Sequence, residues 1–465
     1  MKNYLLPLFV FLIISCSGNY LYSQKYTCIS NIYLSGHRTT KDHIILRELP
    51  FKQGDSIEVQ NLDKILTHAK NNLINLSLFN FVYVDAIPNP TTPENTDIKI
   101  TTEERWFVWP LFSLVFEERN LSSWLEKGDL GRISVEGGVN AYNIWGLNHK
   151  IVLSYKFGFR SGFKFEYDNI SLGPNGRHII GLGLYFQNLG TENYSTRDNK
   201  PLYEKTFENI LQKTEARIKY SYRPTLRKTH QISAKYEKYK ISDTLLLYNP
   251  DYWGNDDTVR TGIWLTYSFT NDQRDNYQYP LRGYMYSGEI KGYRSFNSEI
   301  DYAQLTARAQ YFIPLHKRWF VATALTTGIS AKNANGYIFD RAIGYEHATM
   351  RGYEYYVIDG QHYIVFNPTL RYQILPTRII NLHLFPFMKK FNKMHLTLYG
   401  KAFFDSGYAG NSNPHPSNTL ANKYLYSGGF GIDLVTYYDI NLSLDYSFNQ
   451  LGKTGFFFSI KSLIF

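Results

Sequence analysis

The chain has 465 residues, of which 17% are aromatic and 43% are hydrophobic, and its mean hydropathy is −0.34. The formal net charge is +10, but the Lys and Arg residues are spread along the sequence without clusters, which argues against a nucleic-acid-binding protein. After residue 24 no run of eighteen apolar residues occurs, which excludes transmembrane helices there, and long alternations of polar and apolar residues favour a β protein.

The first 23 residues are typical of an export signal. Lys2 supplies a positive charge, and Leu5–Ile14 form an apolar run that is too short to span a bilayer as a helix. Cleavage after Ser23 would leave Cys28 as the sole cysteine, so no disulfide within the chain would form. A lipoprotein signal that ends at Cys16 is the alternative. An exported, strand-rich chain of this kind is either a secreted β protein or an outer-membrane barrel.

Residues 25–105 predict a small α+β domain. The predicted order is strand, helix, helix, strand and strand, with the strands at 26–34, 79–84 and 97–102 and the first helix at 41–48. Thr39 or Thr40 is a candidate N-cap of that helix. The second helix has one apolar face, made of Leu62, Ile65, Leu66, Ala69 and Leu73. The two helices would cover one face of a small sheet and leave the other face in water.

Residues along this domain also carry a family pattern. They are Ile32-Tyr33-Leu34-Ser35-Gly36, Thr40, Ile44-Ile45-Leu46-Arg47-Glu48-Leu49, Gly54-Asp55, Asn72-Leu73, Leu76, Leu78-Phe79, Val82, Val84, Ile98, Ile100 and Glu103-Glu104-Arg105. In this order they resemble a polypeptide-transport-associated (POTRA) domain. The resemblance implies a periplasmic domain with an exposed sheet edge, to which extended clients or partners add a strand. An unrelated α+β domain is the alternative.

Residues 106–465 alternate in the way that membrane-spanning strands do. Such a strand needs roughly 9–11 tilted residues, apolar outside and polar or small inside. In 440–448 one face has Asn441, Ser443, Asp445 and Ser447, and the other has Ile440, Leu442, Leu444, Tyr446 and Phe448. A soluble sandwich also alternates. However, charges and amides recur on the polar face of strand after strand, which suits a water-filled lumen.

Sixteen such segments can be counted, at about 107–117, 130–141, 147–160, 161–172, 178–188, 214–224, 228–240, 259–271, 281–294, 300–313, 317–331, 363–375, 395–406, 426–436, 440–449 and 454–465. Lipid cannot satisfy the hydrogen-bonding groups of an open sheet edge, so the strands must close on themselves. The predicted fold is therefore an all-β transmembrane barrel of about 16 antiparallel strands, preceded by one small α+β domain.

Three motifs in the barrel carry a second resemblance. Asp272-Gln273-Arg274-Asp275, with Pro280 and Gly283, resembles a hairpin in the middle of a known barrel family. Met350-Arg351-Gly352-Tyr353 lies in the long segment 332–362, here termed the lumen loop, and resembles a V-R-G-Y/F loop tip in which Met350 replaces Val. Phe403-Phe404-Asp405-Ser406-Gly407 fits F-x-D-x-G. With the POTRA-like domain, they resemble the BamA/TamA outer-membrane assembly superfamily, also described as the bacterial surface antigen family.

The resemblance implies that the lumen loop folds back into the barrel. Arg351 would then be a permanent cation inside the barrel and would need a partner. Asp405 is on the polar face of its strand and would point inward. We therefore predict an Arg351–Asp405 salt bridge that fixes the loop, with Gly352 and Gly407 allowing tight turning and close approach. Met350, Tyr353 and Phe403 complete this candidate site. The alternative is an exposed Arg in a surface loop and an Asp at a strand end.

The resemblance also implies a seam between the first and last barrel strands, at 107–117 and 454–465. A weak seam would expose an unpaired edge to which a client strand can add. Pro110 removes one backbone donor from the first strand, and Gly455 would loosen the last. The residues that we assign to the closing strand are Gly455, Phe458, Ile460 and Phe465.

The predicted function is assembly, insertion or translocation of outer-membrane or surface proteins. A passive pore, or a structural subunit of a larger complex, is the alternative. We expect no enzyme, because the sequence has no G-x-S-x-G motif and no metal-spaced His/Cys cluster, and we expect no cofactor. The expected partners are outer-membrane lipid and unfolded client proteins, with accessory periplasmic or lipoprotein subunits as candidates and no nucleic acid. A single front domain leaves open whether the chain is a central insertase or a specialised relative.

Overall fold

The computed structural model contains two main sheets, one in the N-terminal domain and one that closes into a barrel. It describes residues 26–116, 133–203, 210–334, 336–345, 348–381, 393–436 and 440–461. The predicted signal at 1–23 and the terminal Phe465 lie outside the described residues. No helix within these ranges is long and apolar enough to cross a membrane.

A four-stranded sheet and two helices form the N-terminal domain. Its elements are β1 (Tyr26–Ser35), α1 (Asp42–Leu46), β2 (Ser56–Glu58), a 3-10 helix (Val59–Asn61), α2 (Leu62–Asn75), β3 (Phe79–Pro88) and β4 (Thr96–Glu104). The strand order is β2-β1-β4-β3, with β1 parallel to β4 and the other neighbours antiparallel. The order predicted from the sequence lacks β2, because three residues are too few to show an alternation.

Apolar residues pack between this sheet and its helices. The fully buried ones include Ile29, Ile44, Ile45, Leu73, Phe79, Ile98 and Ile100, and the predicted apolar face of α2 lies in the same core. The predicted threonine cap of α1 is wrong. Lys41 is the N-cap residue and makes no side-chain cap. The hydroxyl of Thr40 instead donates to Oε1 of Glu104, 2.7 Å away, because that buried carboxylate is the stronger acceptor.

The remaining elements follow in chain order. They are β5 (Val108–Phe116), β6 (Ile133–Ile144), β7 (His149–Gly158), β8 (Arg160–Ser171), β9 (His178–Leu189), β10 (Asn193–Arg197), β11 (Lys200–Tyr203), β12 (Leu211–Thr225), β13 (Lys228–Ile241), α3 (Asp243–Tyr248), β14 (Val259–Asp272), β15 (Gly283–Ser295), β16 (Asp301–Pro314), β17 (Trp319–Lys332), a 3-10 helix (Tyr337–Phe339), β18 (Arg341–Ile343), β19 (Ile358–Asp359), β20 (His362–Phe366), β21 (Thr369–Asn381), β22 (Lys393–Gly410), β23 (Tyr424–Val435), β24 (Asn441–Asn449) and β25 (Thr454–Lys461).

All of these strands except β10, β11, β18 and β19 form one closed antiparallel barrel, in which β25 lies next to β5. Strands β20 and β21 share one place in the ring, because both pair with β17. The break between them falls at Pro368, which has no N–H to donate to the ladder. The described strands thus occupy the sixteen places that the sequence predicts.

The two faces of the barrel strands differ as the alternation predicts. In β24, the side chains of Asp445 and Ser447 are buried, whereas those of Leu444 and Phe448 are exposed on the outer face. Apolar side chains also stand outward on the last strand, where Phe456 is 68% exposed. An apolar outer face and a polar inner face are what a ring in lipid around a wet lumen requires.

Short elements in the loops form a cap at the end of the barrel opposite the N-terminal domain. Helix α3, the 3-10 helix and the strand ends around them share an apolar core that includes Leu245, Trp253 and Phe339. The hairpin of β10 and β11 turns at Asp198 and Asn199, which both have positive φ angles. This Asp-Asn pair is the signal of a type I′ hairpin turn that the sequence analysis missed.

The N-terminal domain docks against the other rim of the barrel. Near the end of β6, Nδ2 of Asn143 donates to Oγ1 of Thr40, 2.9 Å away. At the end of β12, two guanidinium nitrogens of Arg223 donate to the two carboxylate oxygens of Glu48, each at 3.1 Å. Glu48 is buried. A buried bidentate pair has one favourable geometry, so these contacts fix the orientation of the domain on the rim.

Candidate functional site in the barrel lumen

The tip of the lumen loop contacts strand β22 through Arg351. Its Nε and one terminal nitrogen donate to the two oxygens of Asp405, at 3.0 and 2.5 Å, and its backbone N–H donates to Oδ2 at 2.8 Å. Asp405 is fully buried, and the guanidinium lies 3.9 Å from the ring centroid of Phe403. The two residues that the sequence pairs are therefore adjacent in the structure. That the pair acts as a latch stays a prediction.

Two glycines allow this close approach. Gly352 has a φ angle of +84°, and a Cβ there would lie 3.0 Å from the Cβ of Ser427. A Cβ on Gly407 would lie 2.7 Å from the sulfur of Met350, which is itself buried. A Cβ at Gly407 would force the Met350 side chain to move, and at Gly352 the positive φ angle adds backbone strain to the tight contact.

Residues after Arg351 in the loop tip contact the neighbouring strands. The carbonyl of Gly352 accepts a hydrogen bond from Nδ2 of Asn449 on β24 at 2.6 Å. The hydroxyl of Tyr353 donates to the carbonyl of Tyr426 on β23 at 3.2 Å. The ring of Tyr355 lies 5.3 Å from that of Phe457 on β25. The tip thus contacts every strand from β22 to the last one described.

Sequence reasoning missed the partners on these walls. The hydroxyl of Ser427 donates to the carbonyl of Arg351, and Asn449 was not singled out. The one available signal is the run Ser427-Gly428-Gly429 in β23, because small residues within a strand mark a place where another backbone comes close. Asn449 lies at a strand end, where nothing in the local pattern indicates a contact with a distant loop.

The middle motif forms the turn 273–282 between β14 and β15, termed the central turn. Asp272 and Arg274 form a bidentate ion pair, with N–O distances of 2.8 and 2.5 Å. The carboxylate of Asp275 accepts hydrogen bonds from the backbone of Asn276 and Leu281, at 2.8 and 3.1 Å. The motif residues therefore lie together in one rigid turn. This turn lies at the barrel rim that contacts the N-terminal domain, whereas the lumen loop starts from the opposite rim of the barrel.

Two more motif residues shape this turn. Gly283 has a φ angle of +98°, and a Cβ there would overlap the carbonyl oxygen of Gln273. The carbonyl of Pro280 accepts a hydrogen bond at 3.0 Å from Arg371 on β21. The hydrogen bond between Arg371 and Pro280 joins the turn to the lumen wall across the barrel.

Of the predicted closing-strand residues, Gly455, Phe458 and Ile460 are on β25, with Phe458 and Ile460 exposed on the outer face, and Phe465 lies outside the described residues. Gly455 pairs in register with Ser447 of β24. On β5, Pro110 pairs in register with Val139 of β6. Strand β25 closes the ring beside β5. The structure thus places the seam where the sequence does, and its weakness stays a prediction.

Ion pairs cover the lumen wall on the side away from the lumen loop tip. Arg217 pairs with Glu166 at 3.0 Å, and Lys235 pairs with Glu215 at 3.0 Å. These charges satisfy one another across neighbouring strands, as partly buried charges must. Within the described ranges, no three His, Cys, Asp or Glu side chains come together in a way that could hold a metal ion.

Comparisons with known proteins give the family. Residues 28–105 match the POTRA model, described as a surface antigen variable number repeat, and residues 143–460 match the Omp85 superfamily domain. No curated protein sequence is significantly similar to the chain.

BamA and CdiB structures are among the solved structures that share the fold. BamA from Haemophilus ducreyi lacking POTRA domains 1–3 is 13% identical, with a TM-score of 0.52, over 93% of this chain and 84% of that chain. CdiB from Escherichia coli is 12% identical, with a TM-score of 0.53, over 94% of this chain and 76% of that chain. The chain therefore belongs to the Omp85 superfamily, as an outer-membrane β-barrel with one POTRA domain on its periplasmic side.

Proposed function

We propose that this chain inserts or translocates proteins at the outer membrane, through a barrel seam that the lumen loop controls. Membership of the Omp85 superfamily supports the general function. The single observation that carries the mechanism is the Arg351–Asp405 pair, which holds the loop tip against the strands that lead to the seam.

The contacts of the loop tip suggest how the seam is controlled. Asp405 is on β22, Asn449 is on β24 and Phe457 is on β25, and the loop tip contacts all three. A loop that is anchored at each of these strands restrains them relative to one another. When the loop leaves, the last strand loses its inward support at Phe457, and the edge beside β5 becomes free to pair with a client strand.

We propose that the clients are unfolded outer-membrane or surface proteins and that the POTRA domain receives them in the periplasm. Its sheet has β3 as an edge, and among the described residues this ten-residue strand pairs with β4 alone. The side chains of Tyr83 and Ile87 are exposed on it. Such an edge offers backbone donors and acceptors to an extended client. Accessory periplasmic or lipoprotein subunits are candidates for the same edge.

A disulfide across the seam tests the mechanism. In a Cys28→Ser background, one cysteine each is placed on β5 and β25, and the protein is reconstituted in liposomes. Insertion of a urea-unfolded barrel client is followed by its heat-dependent gel shift. Oxidation should abolish insertion and reduction should restore it, because a locked seam offers no edge.

The matched control places cysteines at Leu434 and Leu442, which pair in register between β23 and β24. A disulfide there leaves the seam free, so insertion should continue. Equal insertion by the oxidised and reduced seam variants would show that the seam does not open for clients.

The second candidate function is that of a passive pore or a structural subunit. Conductance measurements on the loop-deleted protein distinguish it from the first. We propose that the lumen loop closes the barrel interior, so deletion of 340–360 should raise the conductance in planar bilayers several-fold. Unchanged conductance would mean that the loop does not close the lumen, and would favour the pore.

A further inference from the structure

The central turn (273–282) joins the POTRA domain to the barrel. Asn75 is the last residue of α2. Its Nδ2 donates to the carbonyl of Asp275 at 3.3 Å, and its Oδ1 accepts from the backbone N–H of Tyr277 at 3.1 Å. One side-chain amide thus makes a reciprocal pair of hydrogen bonds with the turn. This end of the turn moves with α2.

The other end of the central turn enters the lumen. Tyr279 is buried, and its hydroxyl donates to Oδ2 of Asp433 on β23 at 2.9 Å. Its ring lies 4.7 Å from the ring of Tyr399 on β22. The guanidinium of Arg371 lies 4.4 Å from the centroid of the same ring. Tyr279 is therefore held by three strands that are distant from the turn in the ring.

Asp433 is the centre of a network that joins the last strands. Lys401 on β22 lies 2.7 Å from an oxygen of Asp433 and 2.7 Å from an oxygen of Asp445 on β24. The hydroxyl of Ser443 donates to Asp433 at 2.7 Å. All three charged side chains are almost wholly buried. The phenol of Tyr279 therefore completes the hydrogen bonding of a buried carboxylate, which is costly to leave unsatisfied.

The two segments that enter the lumen meet on one strand. Tyr399, Lys401, Phe403 and Asp405 are successive inward positions of β22. The central turn packs on Tyr399, at the periplasmic end of this series, and the lumen loop binds Asp405, at the other end. Movement of either segment therefore acts on the same row of side chains.

We propose that the central turn is a second latch, which makes the closed state of β22 to β24 depend on the position of the POTRA domain. A displacement of α2 moves the turn through Asn75. The ion pair and carboxylate caps within the turn keep it rigid, so the displacement withdraws Tyr279 from Asp433. The network on Lys401 then loosens below the lumen loop. What this release achieves for a client rests on the proposed function.

The lumen end of the latch is tested by Tyr279→Phe, which keeps the ring and removes the hydrogen bond to Asp433. Hydrogen–deuterium exchange is measured on the purified full chain in detergent micelles. Amides in β22 to β24 should exchange about tenfold faster, because a hydrogen bond to a charged group is lost. Tyr277→Phe is the matched control, since the hydroxyl of Tyr277 makes no hydrogen bond among the described residues. Equal exchange in the two variants would refute the second latch.

The coupling is tested by Asn75→Ala, which lies outside the barrel. It should speed exchange in the central turn and also in β22 to β24, and Asn71→Ala on the same helix should do neither. Adding Tyr279→Phe to Asn75→Ala should give no more exchange in β22 to β24 than Tyr279→Phe alone. If Asn75→Ala affects only the domain and the turn, the coupling is wrong.

Heat-dependent gel mobility shows that each variant retains its barrel. These measurements use no client, so their failure would leave the insertion assay unaffected, and a failed insertion assay would leave this inference standing.

Discussion

Replacing Arg351 by alanine removes the main anchor of the lumen loop. The variant loses both guanidinium hydrogen bonds to Asp405 and the contact with the ring of Phe403, and it keeps the hydrogen bond from its backbone N–H. Asp405 is fully buried and accepts three hydrogen bonds from Arg351, so in the variant its carboxyl group would keep one of these three donors. The loop therefore becomes less stable in its closed position.

The size of the effect follows from the burial of the pair. Breaking a buried ion pair by removing one partner costs about 3–5 kcal/mol. The Arg351 side chain is 22% exposed, so part of its charge is already solvated, and the lower end of that range applies. A cost of about 3 kcal/mol shifts the equilibrium between closed and open loop by roughly 150-fold towards open.

The assay is hydrogen–deuterium exchange of the backbone in the lumen loop, with bilayer conductance as a second measurement. Protection of the loop amides should fall by up to the predicted factor, and the conductance should rise. The matched control is Arg217→Ala, which also removes an ion pair, with Glu166, and a contact with an aromatic ring, that of Tyr185. It should leave the loop protected, because this pair joins β12 and β8.

This reasoning would be refuted if the hydrogen-exchange protection of the lumen-loop amides changed less than threefold in the Arg351 variant. So would an equal loss of protection in the Arg217 variant, because the effect would then reflect a general loosening of the lumen wall.

Two further predictions concern a charge and a close contact. Burial opposes ionisation of Glu104, but hydrogen bonds from the backbone and hydroxyl of Thr40 outweigh it and hold the pKa of Glu104 below its ordinary value of 4.5. A lowered pKa stabilises the folded domain fully above pH 4.5, and this contribution is lost as the pH falls through the folded value. The rate at which a protease cleaves the N-terminal domain should therefore rise below pH 4.5 in the wild type. In the Glu104→Gln variant this rate should depend less on pH. Gly407→Ala should displace Met350 and cost about 1–3 kcal/mol of loop closure. Gly288→Ala, where a Cβ meets no atom within 4 Å, should leave loop exchange unchanged.

Local patterns were sufficient for the strands of the barrel. The segment predicted at 259–271 is β14 at Val259–Asp272, and that at 228–240 is β13 at Lys228–Ile241. Alternation predicts such strands because each side chain faces lipid or lumen according to its own position along the chain. The pattern fails for β2, β18 and β19, which have only two or three residues.

Contacts between distant parts of the chain depend on the closed ring. The Arg351–Asp405 pair could be predicted because two family motifs indicated which residues meet. No motif indicates that Tyr279 reaches Asp433, 154 positions away, or that Arg223 binds Glu48, 175 positions away. The sequence alone determined which residues form strands, which faces are apolar and that the ring must close. The tertiary structure decided which rim the domain contacts and how far each turn enters the lumen, because these depend on the strand positions around the ring and not on the residues next to one another in the chain.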